Sequence, residues 1–188
     1  MLSITVSKEI IEGCQSNNRA SQEDLYKLCY SEFMKICLRY TETYDDAANV
    51  LHDAFIKILT KMNAVKNTSD AVGWMKRIVV NTCIDHLRLK KNLNQVSMEG
   101  IELPSEQDEE HHFVVDENAL LGLIRNLPKT HAAVFNLFVM ENYSHTKISE
   151  LLNISVANSK WHLFDARKIL KEKVSLILKQ NGEAKGSR

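Results

Sequence analysis

Glycine and proline, the residues that most often interrupt helices, are scarce in this chain: 6 Gly and 2 Pro occur among 188 residues. Apolar residues recur over long stretches at intervals of three and four positions, and strict alternation of apolar and polar residues is almost absent. Because such intervals place side chains on one face of a helix, we predict an all-α protein. By itself this pattern is typical of any helical bundle.

The sequence argues against several other classes of protein. No window approaches the roughly 20 consecutive apolar residues of a membrane-spanning helix, and the N-terminus does not resemble a signal peptide, so we predict an intracellular protein with no membrane insertion of its own. Cys14, Cys29, Cys37 and Cys83 are irregularly spaced, which predicts reduced, buried thiols rather than disulfides or a metal site. No HExxH, GxSxG, Walker or glycine-rich phosphate motif occurs, so we predict neither an enzyme nor a cofactor.

Charge is distributed unevenly, although the formal net charge is zero. Residues 1–95 hold 13 Lys+Arg against 11 Asp+Glu, residues 96–118 hold none against 8, and residues 119–188 hold 11 against 5. The acidic stretch also contains Gly100, Pro104 and a self-repelling run from Glu106 to Glu110. We therefore predict two small helical domains, 1–95 and 119–188, joined by an acidic flexible linker at 96–118. A long loop within one domain is the alternative.

The clearest helix of the first domain is predicted over residues 46–64. Its core-facing stripe consists of Ala47, Val50, Leu51, Ala54, Phe55, Ile58, Leu59 and Met62. The opposite face carries Asn49, His52, Asp53 and Ile56 at the spacing i, i+3, i+4, i+7. Three polar residues around an isoleucine are typical of a small protein-docking patch, although a single exposed isoleucine is also unremarkable.

A basic helical stretch follows at residues 72–92. One face carries Trp74, Arg77, Asn81, Asp85 and Arg88, and Lys90 and Lys91 add charge at its end. An aromatic ring, an amide and guanidinium groups on one face favour contact with a nucleic-acid strand. Thr82 and Asp85 fit a capping box, which predicts that the helix breaks near Asn81 and presents this residue in a loop. The alternative is a core tryptophan beside a solvated, basic helix end.

The second domain contains three predicted helices at 127–141, 144–152 and 155–178. Pro128 suits the first turn of the first helix, and Ser144 and Ser155 can cap the next two. Asn153 tolerates the left-handed conformation of a tight turn between helices. These features predict a helix-turn-helix.

The third of these helices has two distinct faces. Ser159, Leu163, Ala166 and Leu170 form its inward stripe, and the outward face carries Ala157, Lys160, Trp161, Phe164 and Lys168. Two exposed rings flanked by Lys160, Arg167, Lys168 and Lys171 favour DNA as the partner. A trihelical scaffold with an aromatic dimer interface is the alternative.

The order of these parts resembles the sigma factors of the sigma-70 family, specifically the compact extracytoplasmic-function (ECF) group with its promoter-melting and helix-turn-helix domains. Three stretches carry the resemblance over roughly residues 20–175. The polymerase-docking helix of the group resembles DDAANVLHDAFIKIL, and its minus-ten-reading segment resembles AVGWMKRIVVNTCIDHLRLKK. Its minus-thirty-five-reading domain resembles NLPKTHAAVFNLFVMENYSHTKISELLNISVANSKWHLFDARKILKE. Trp161 and Asp165 depart from the small and basic residues common at their positions.

This resemblance implies a non-catalytic initiation subunit that binds core RNA polymerase and promoter DNA. Polymerase binding would involve Asn49, His52, Asp53 and Ile56. Minus-ten contacts would come from Trp74, Arg77, Asn81, Arg88, Lys90 and Lys91, with Asn81 holding a base taken out of the stack. Minus-thirty-five contacts would come from Asn158, Lys160, Trp161, Phe164, Asp165, Arg167 and Lys168. The protein would be cytoplasmic, with an anti-sigma factor that could hold it at the inner membrane.

Two other functions remain open at this point. A DNA-binding regulator with a helical sensor domain would bind a promoter fragment without polymerase. An enzyme would need a constellation of catalytic residues, but the seven histidines are scattered and the carboxylates concentrate in the linker.

Overall fold

The structure, a computed structural model, describes residues 4–89 and 117–185. All regular elements within these ranges are helical, which confirms the all-α prediction. The chain divides into two compact units, Met1–Lys90 and Lys91–Arg188. The predicted linker lies outside the described residues except for its last two positions, 117 and 118, which begin a helix. No helix in the two described ranges is long and apolar enough to cross a membrane.

The first unit contains four α-helices: α1 (Lys8–Gln15), α2 (Arg19–Tyr40), α3 (Tyr44–Thr60) and α4 (Ala71–Leu89). Two short 3₁₀ turns, Met62–Ala64 and Thr68–Asp70, connect α3 to α4. Side chains of Ser7, Asn18 and Thr43 accept hydrogen bonds from backbone N–H groups in the first turns of α1, α2 and α3. Each therefore fixes where its helix begins.

The core of the first unit lies between α2, α3 and α4. The burial of the predicted stripe is confirmed: Leu59 is partly buried, and the other seven residues are buried. The predicted helix 46–64 is too long, however, because α3 ends at Thr60 and Met62 lies in the 3₁₀ turn that follows. All four cysteines are buried and reduced, as predicted. The Sγ atoms of Cys37 in α2 and Cys83 in α4 are 3.9 Å apart, so these helices are in close contact at that level.

The predicted break near Asn81 is wrong, because α4 continues from Ala71 to Leu89. Thr82 is buried within the helix, and its hydroxyl donates to the carbonyl of Ile78 at 2.8 Å. Its Oγ1 also accepts a hydrogen bond from Nζ of Lys57 at 3.2 Å. The threonine hydroxyl is thus satisfied without capping a new helix. Asn81 consequently lies exposed on the side of a continuous helix instead of in a loop.

The second unit contains α5 (Glu117–Arg125), α6 (Lys129–Phe135), α7 (His145–Leu152) and α8 (Val156–Lys185). The single helix predicted at 127–141 is instead α6 followed by a π-helical turn, Asn136–Met140. In this wider turn the N–H of Glu141 donates to the carbonyl of Asn136 at 3.1 Å. Part of the core is formed by Ile124, Leu127, Ala166 and Leu170.

The helix-turn-helix prediction is confirmed in its local details. Ser144 Oγ accepts from the N–H of Lys147 at the start of α7, at 3.2 Å. Ser155 Oγ accepts from the N–H of Asn158 at the start of α8, at 3.0 Å. Asn153 between them has φ 54° and ψ 49°, the left-handed conformation that a short turn requires.

Candidate protein and nucleic-acid interfaces

The outward face of α3 presents the predicted patch of three polar residues and one apolar residue. Asn49, His52, Asp53 and Ile56 are all exposed, and Ile56 is 52% exposed. The opposite face of the same helix is buried in the core. The patch is therefore an available surface on a rigidly held helix.

Tyrosines lie along the edge where α3 meets α2. The hydroxyls of Tyr30 and Tyr44 are 2.8 Å apart, and the ring centroid of Tyr26 is 4.7 Å from that of Phe55. The hydrogen bond with Tyr44 raises the pKa of Tyr30 to about 12. Sequence reasoning missed this aromatic edge, because its members come from two helices and no pattern within one helix marks contacts between them.

Polar bridges join α3 to α4 on the other side. Nζ of Lys57 donates to Thr82 Oγ1 and, at 3.3 Å, to Oδ2 of Asp85. Nε2 of His86 lies 4.0 Å from Oδ1 of Asp46. An exposed ion pair contributes only about 0.2–1 kcal/mol, so these bridges add little to the apolar packing between the two helices.

The outward face of α4 carries the predicted nucleic-acid residues. Arg77, Asn81 and Arg88 are exposed, and Trp74 is half-buried. The carboxylate of Asp85 on this face lies near two cations, Lys57 at 3.3 Å and Arg88 at 3.9 Å. The single acid is thereby offset, which keeps the face suitable for a polyanion. Lys90 and Lys91 lie outside the described residues.

The two faces of α8 are arranged as predicted, with one difference. The inward stripe of Ser159, Leu163, Ala166 and Leu170 is buried. Lys160, Phe164 and Lys168 are exposed, Phe164 by 43%, and Asn158 and Arg167 are partly exposed. Trp161 is partly buried, because its ring packs edge-on against the imidazoles of His131 and His162, with centroids 5.2 and 4.9 Å away.

Asp165 is paired with a histidine of a different helix. Its Oδ2 lies 3.0 Å from Nε2 of His131 in α6, and its side chain remains 30% exposed. His131 is only 7% exposed. Burial lowers the pKa of His131, and the carboxylate of Asp165 opposes that shift.

His162 lies beside this pair and is 1% exposed. Its burial and, secondarily, the nearby His131 lower its pKa to about 4. Its Nδ1 has no hydrogen-bond partner among the described residues. Sequence reasoning missed both histidines, although the position of His162, next to the inward stripe of α8, would have predicted its burial.

One unit is a capped helix-turn-helix with a cationic and aromatic outer face, and the other is a helical unit that bears a basic face. Together these features define a DNA-binding protein of two helical units. Comparison with known families agrees with both halves. The chain matches the family model for Sigma-70 region 2 over residues 25–92 and the model for Sigma-70, region 4 over residues 117–170.

Several relatives cover most of the chain. The RNA polymerase sigma factor SigV of Bacillus subtilis is 25% identical over 165 residues, which cover 88% of this chain and 91% of the relative. The ECF RNA polymerase sigma factors SigW and SigM of the same organism are 22% and 23% identical. Their alignments cover 89% and 79% of this chain and 96% and 92% of the relatives.

The chain belongs to the sigma-70 family of RNA polymerase sigma factors, in its ECF group. It is a transcription initiation factor that directs core RNA polymerase to promoters. No observation favours the polymerase-independent regulator that the sequence left open.

Proposed function

We propose that Asn49, His52, Asp53 and Ile56 form the surface through which this sigma factor binds core RNA polymerase. The main support is that α3 has one buried face and one exposed face. Its inner stripe is buried in the core, and the patch around Ile56 is exposed. An apolar residue surrounded by polar residues is suited to a small interface. The apolar centre is desolvated on binding, and the polar rim supplies specificity.

The outward face of α4 is proposed to hold the separated strand of the downstream promoter element. Extruding a base costs a few kcal/mol, and a stacking ring contributes about 1–3 kcal/mol per base. Trp74 provides the ring, Asn81 provides both a donor and an acceptor for a base edge, and Arg77 provides charge beside them. Arg88, together with Lys90 and Lys91 beyond the described residues, would bind the phosphates.

The N-terminal part of α8 is proposed to read the upstream element in the major groove. Lys160 can donate to guanine, and the rings of Trp161 and Phe164 can contact thymine methyl groups. Asn158, Arg167 and Lys168 would bind the backbone. Asp165 can accept from the amino group of cytosine through Oδ1, because its Oδ2 is bonded to His131.

Three further expectations rest on family membership. The protein itself catalyses no reaction, works in the cytoplasm, and is restrained by an anti-sigma factor. A pull-down from the native host would identify that partner, and recovery of polymerase subunits alone would contradict the last expectation.

The docking proposal is tested with Asp53→Arg. The reversed charge on an exposed site should weaken association with core polymerase at least tenfold, while far-UV circular dichroism stays unchanged because no core residue is altered. Asp24→Arg is the matched control, since Asp24 is an exposed acid on α2 outside the patch. Equal affinities for Asp53→Arg and Asp24→Arg would remove the docking role from this face. In vitro transcription on a promoter library with the same variants would link the affinity to activity.

A further inference from the structure

The supporting helix α6 places one side chain against the DNA-reading side of α8. His131 contacts three residues of α8: it bonds to Asp165, and its ring packs edge-on against those of Trp161 and His162, with the His162 centroid 4.6 Å away. Two of these three residues are proposed DNA contacts. His131 itself is almost fully buried, so it can act on DNA only through them.

The imidazole is held tightly enough to orient its partner. Rings of α8 pack against it, which restricts rotation of the His131 side chain. A carboxylate only accepts hydrogen bonds, so Nε2 of His131 is assigned as the donor to Oδ2 of Asp165. This bond engages Oδ2 and restrains the carboxylate, while the Asp165 side chain is still 30% exposed.

We propose that His131 is a positioning residue for promoter specificity: it fixes the Asp165 carboxylate so that its second oxygen can read one base pair of the upstream element. The inference rests on the proposed base contact of Asp165. An unanchored aspartate near the DNA backbone would turn away from the phosphates by charge repulsion. A neutral donor behind it holds the acid in place without cancelling its charge, which the contact with a cytosine amino group requires.

The test uses full-length protein in complex with core polymerase and upstream elements randomised one position at a time. Asp165→Ala should reduce the ratio of affinities for the preferred and other base pairs at one position by roughly tenfold. The ratios at other positions should stay unchanged. His131→Phe, which keeps a ring but lacks the donor, should flatten the same position to a similar extent. The double variant should lose no more than either single variant, because both act through one contact.

Rescue separates positioning from a structural role. The side-chain amide of glutamine reaches about as far as Nε2 of histidine, whereas that of asparagine is shorter by one methylene. His131→Gln should therefore retain most of the preference, and His131→Asn should lose it, although both replace the ring by an amide. This matched pair also serves if His131→Phe does not fold.

The possible failures point to different steps. If Asp165→Ala leaves the profile unchanged or raises affinity for all sequences, the base contact itself is refuted. If Asp165→Ala flattens one position but His131→Phe and His131→Asn keep that preference, the contact stands and the positioning role is refuted. A uniform loss of affinity in every His131 variant, with the preference intact, also refutes positioning.

Discussion

The buried His162 makes the stability of the helix-turn-helix unit depend on pH. Its pKa is about 4 in the folded chain, against an ordinary value of 6.5, because burial opposes the charged form. A depressed histidine pKa means that the folded unit binds fewer protons than the unfolded chain. The contribution of His162 is therefore fully present above pH 6.5 and is lost as the pH falls from 6.5 towards 4.

The size of the effect follows from the two pKa values. At pH 5 the unfolded chain is nearly fully protonated at this residue and the folded chain is not, which corresponds to about 2 kcal/mol of lost stability relative to pH 8. The pKa of His131 is also lowered by its burial, so it acts in the same direction. For a unit of this size the urea midpoint should fall by about 1 M or more.

The tryptophans allow the second unit to be observed separately within the full chain. Trp74 lies in the first unit and Trp161 in the second, so a Trp74→Phe background leaves fluorescence that reports only the second. Urea titrations between pH 8 and pH 5 then give its free energy of unfolding. With His162→Phe, the free energy of unfolding of the second unit should depend much less on pH. His52→Gln, at an exposed site of the first unit, should show the same pH dependence as the Trp74→Phe background. An equal slope with and without His162 would refute the reasoning.

Three further predictions concern other parts of the chain. Asn81→Ala should impair strand opening, measured by permanganate reactivity of promoter thymines, far more than closed-complex formation. Alanine is the better helix former, so the substitution leaves α4 intact. Equal losses in both steps would contradict base capture. Asn153→Ala should lower the stability of the second unit by about 1 kcal/mol in urea titrations, while Asn153→Gly should not, because only the former strains the left-handed turn. All four cysteines are buried in the first unit, and burial raises the pKa of Cys29 to about 11, so thiol labelling should be slow until that unit unfolds and should not respond to unfolding of the second.

Features that depend on neighbours in the chain could be predicted from the sequence. The buried stripe of α3 follows from helical periodicity, and the turn at Asn153 follows from its two serine caps. Features that depend on another helix could not. The pattern of Thr82 and Asp85 matched a capping box, but Lys57 from α3 contacts both side chains and the helix continues.

The candidate site shows the same division. Exposure of Lys160 and Phe164 could be predicted from the faces of one helix. The bond between His131 and Asp165 could not, because it joins residues 34 positions apart and no local pattern marks it. The partial burial of Trp161 could not be predicted either, because it depends on contacts with the imidazoles of His131 and His162.

Because α4 is continuous, the spacing between residues on its outer face is fixed. Trp74 and Asn81 lie seven residues apart on one helix, a separation of about 10 Å along the axis at 1.5 Å per residue. In the proposed complex, the two side chains would contact the separated strand at this fixed spacing, which is comparable to about three stacked nucleotide steps of about 3.4 Å. A hinge at Asn81 would have let that interval vary. A continuous helix fixes the interval, so we expect a promoter with one nucleotide inserted or deleted between the two proposed contacts to satisfy only one of them.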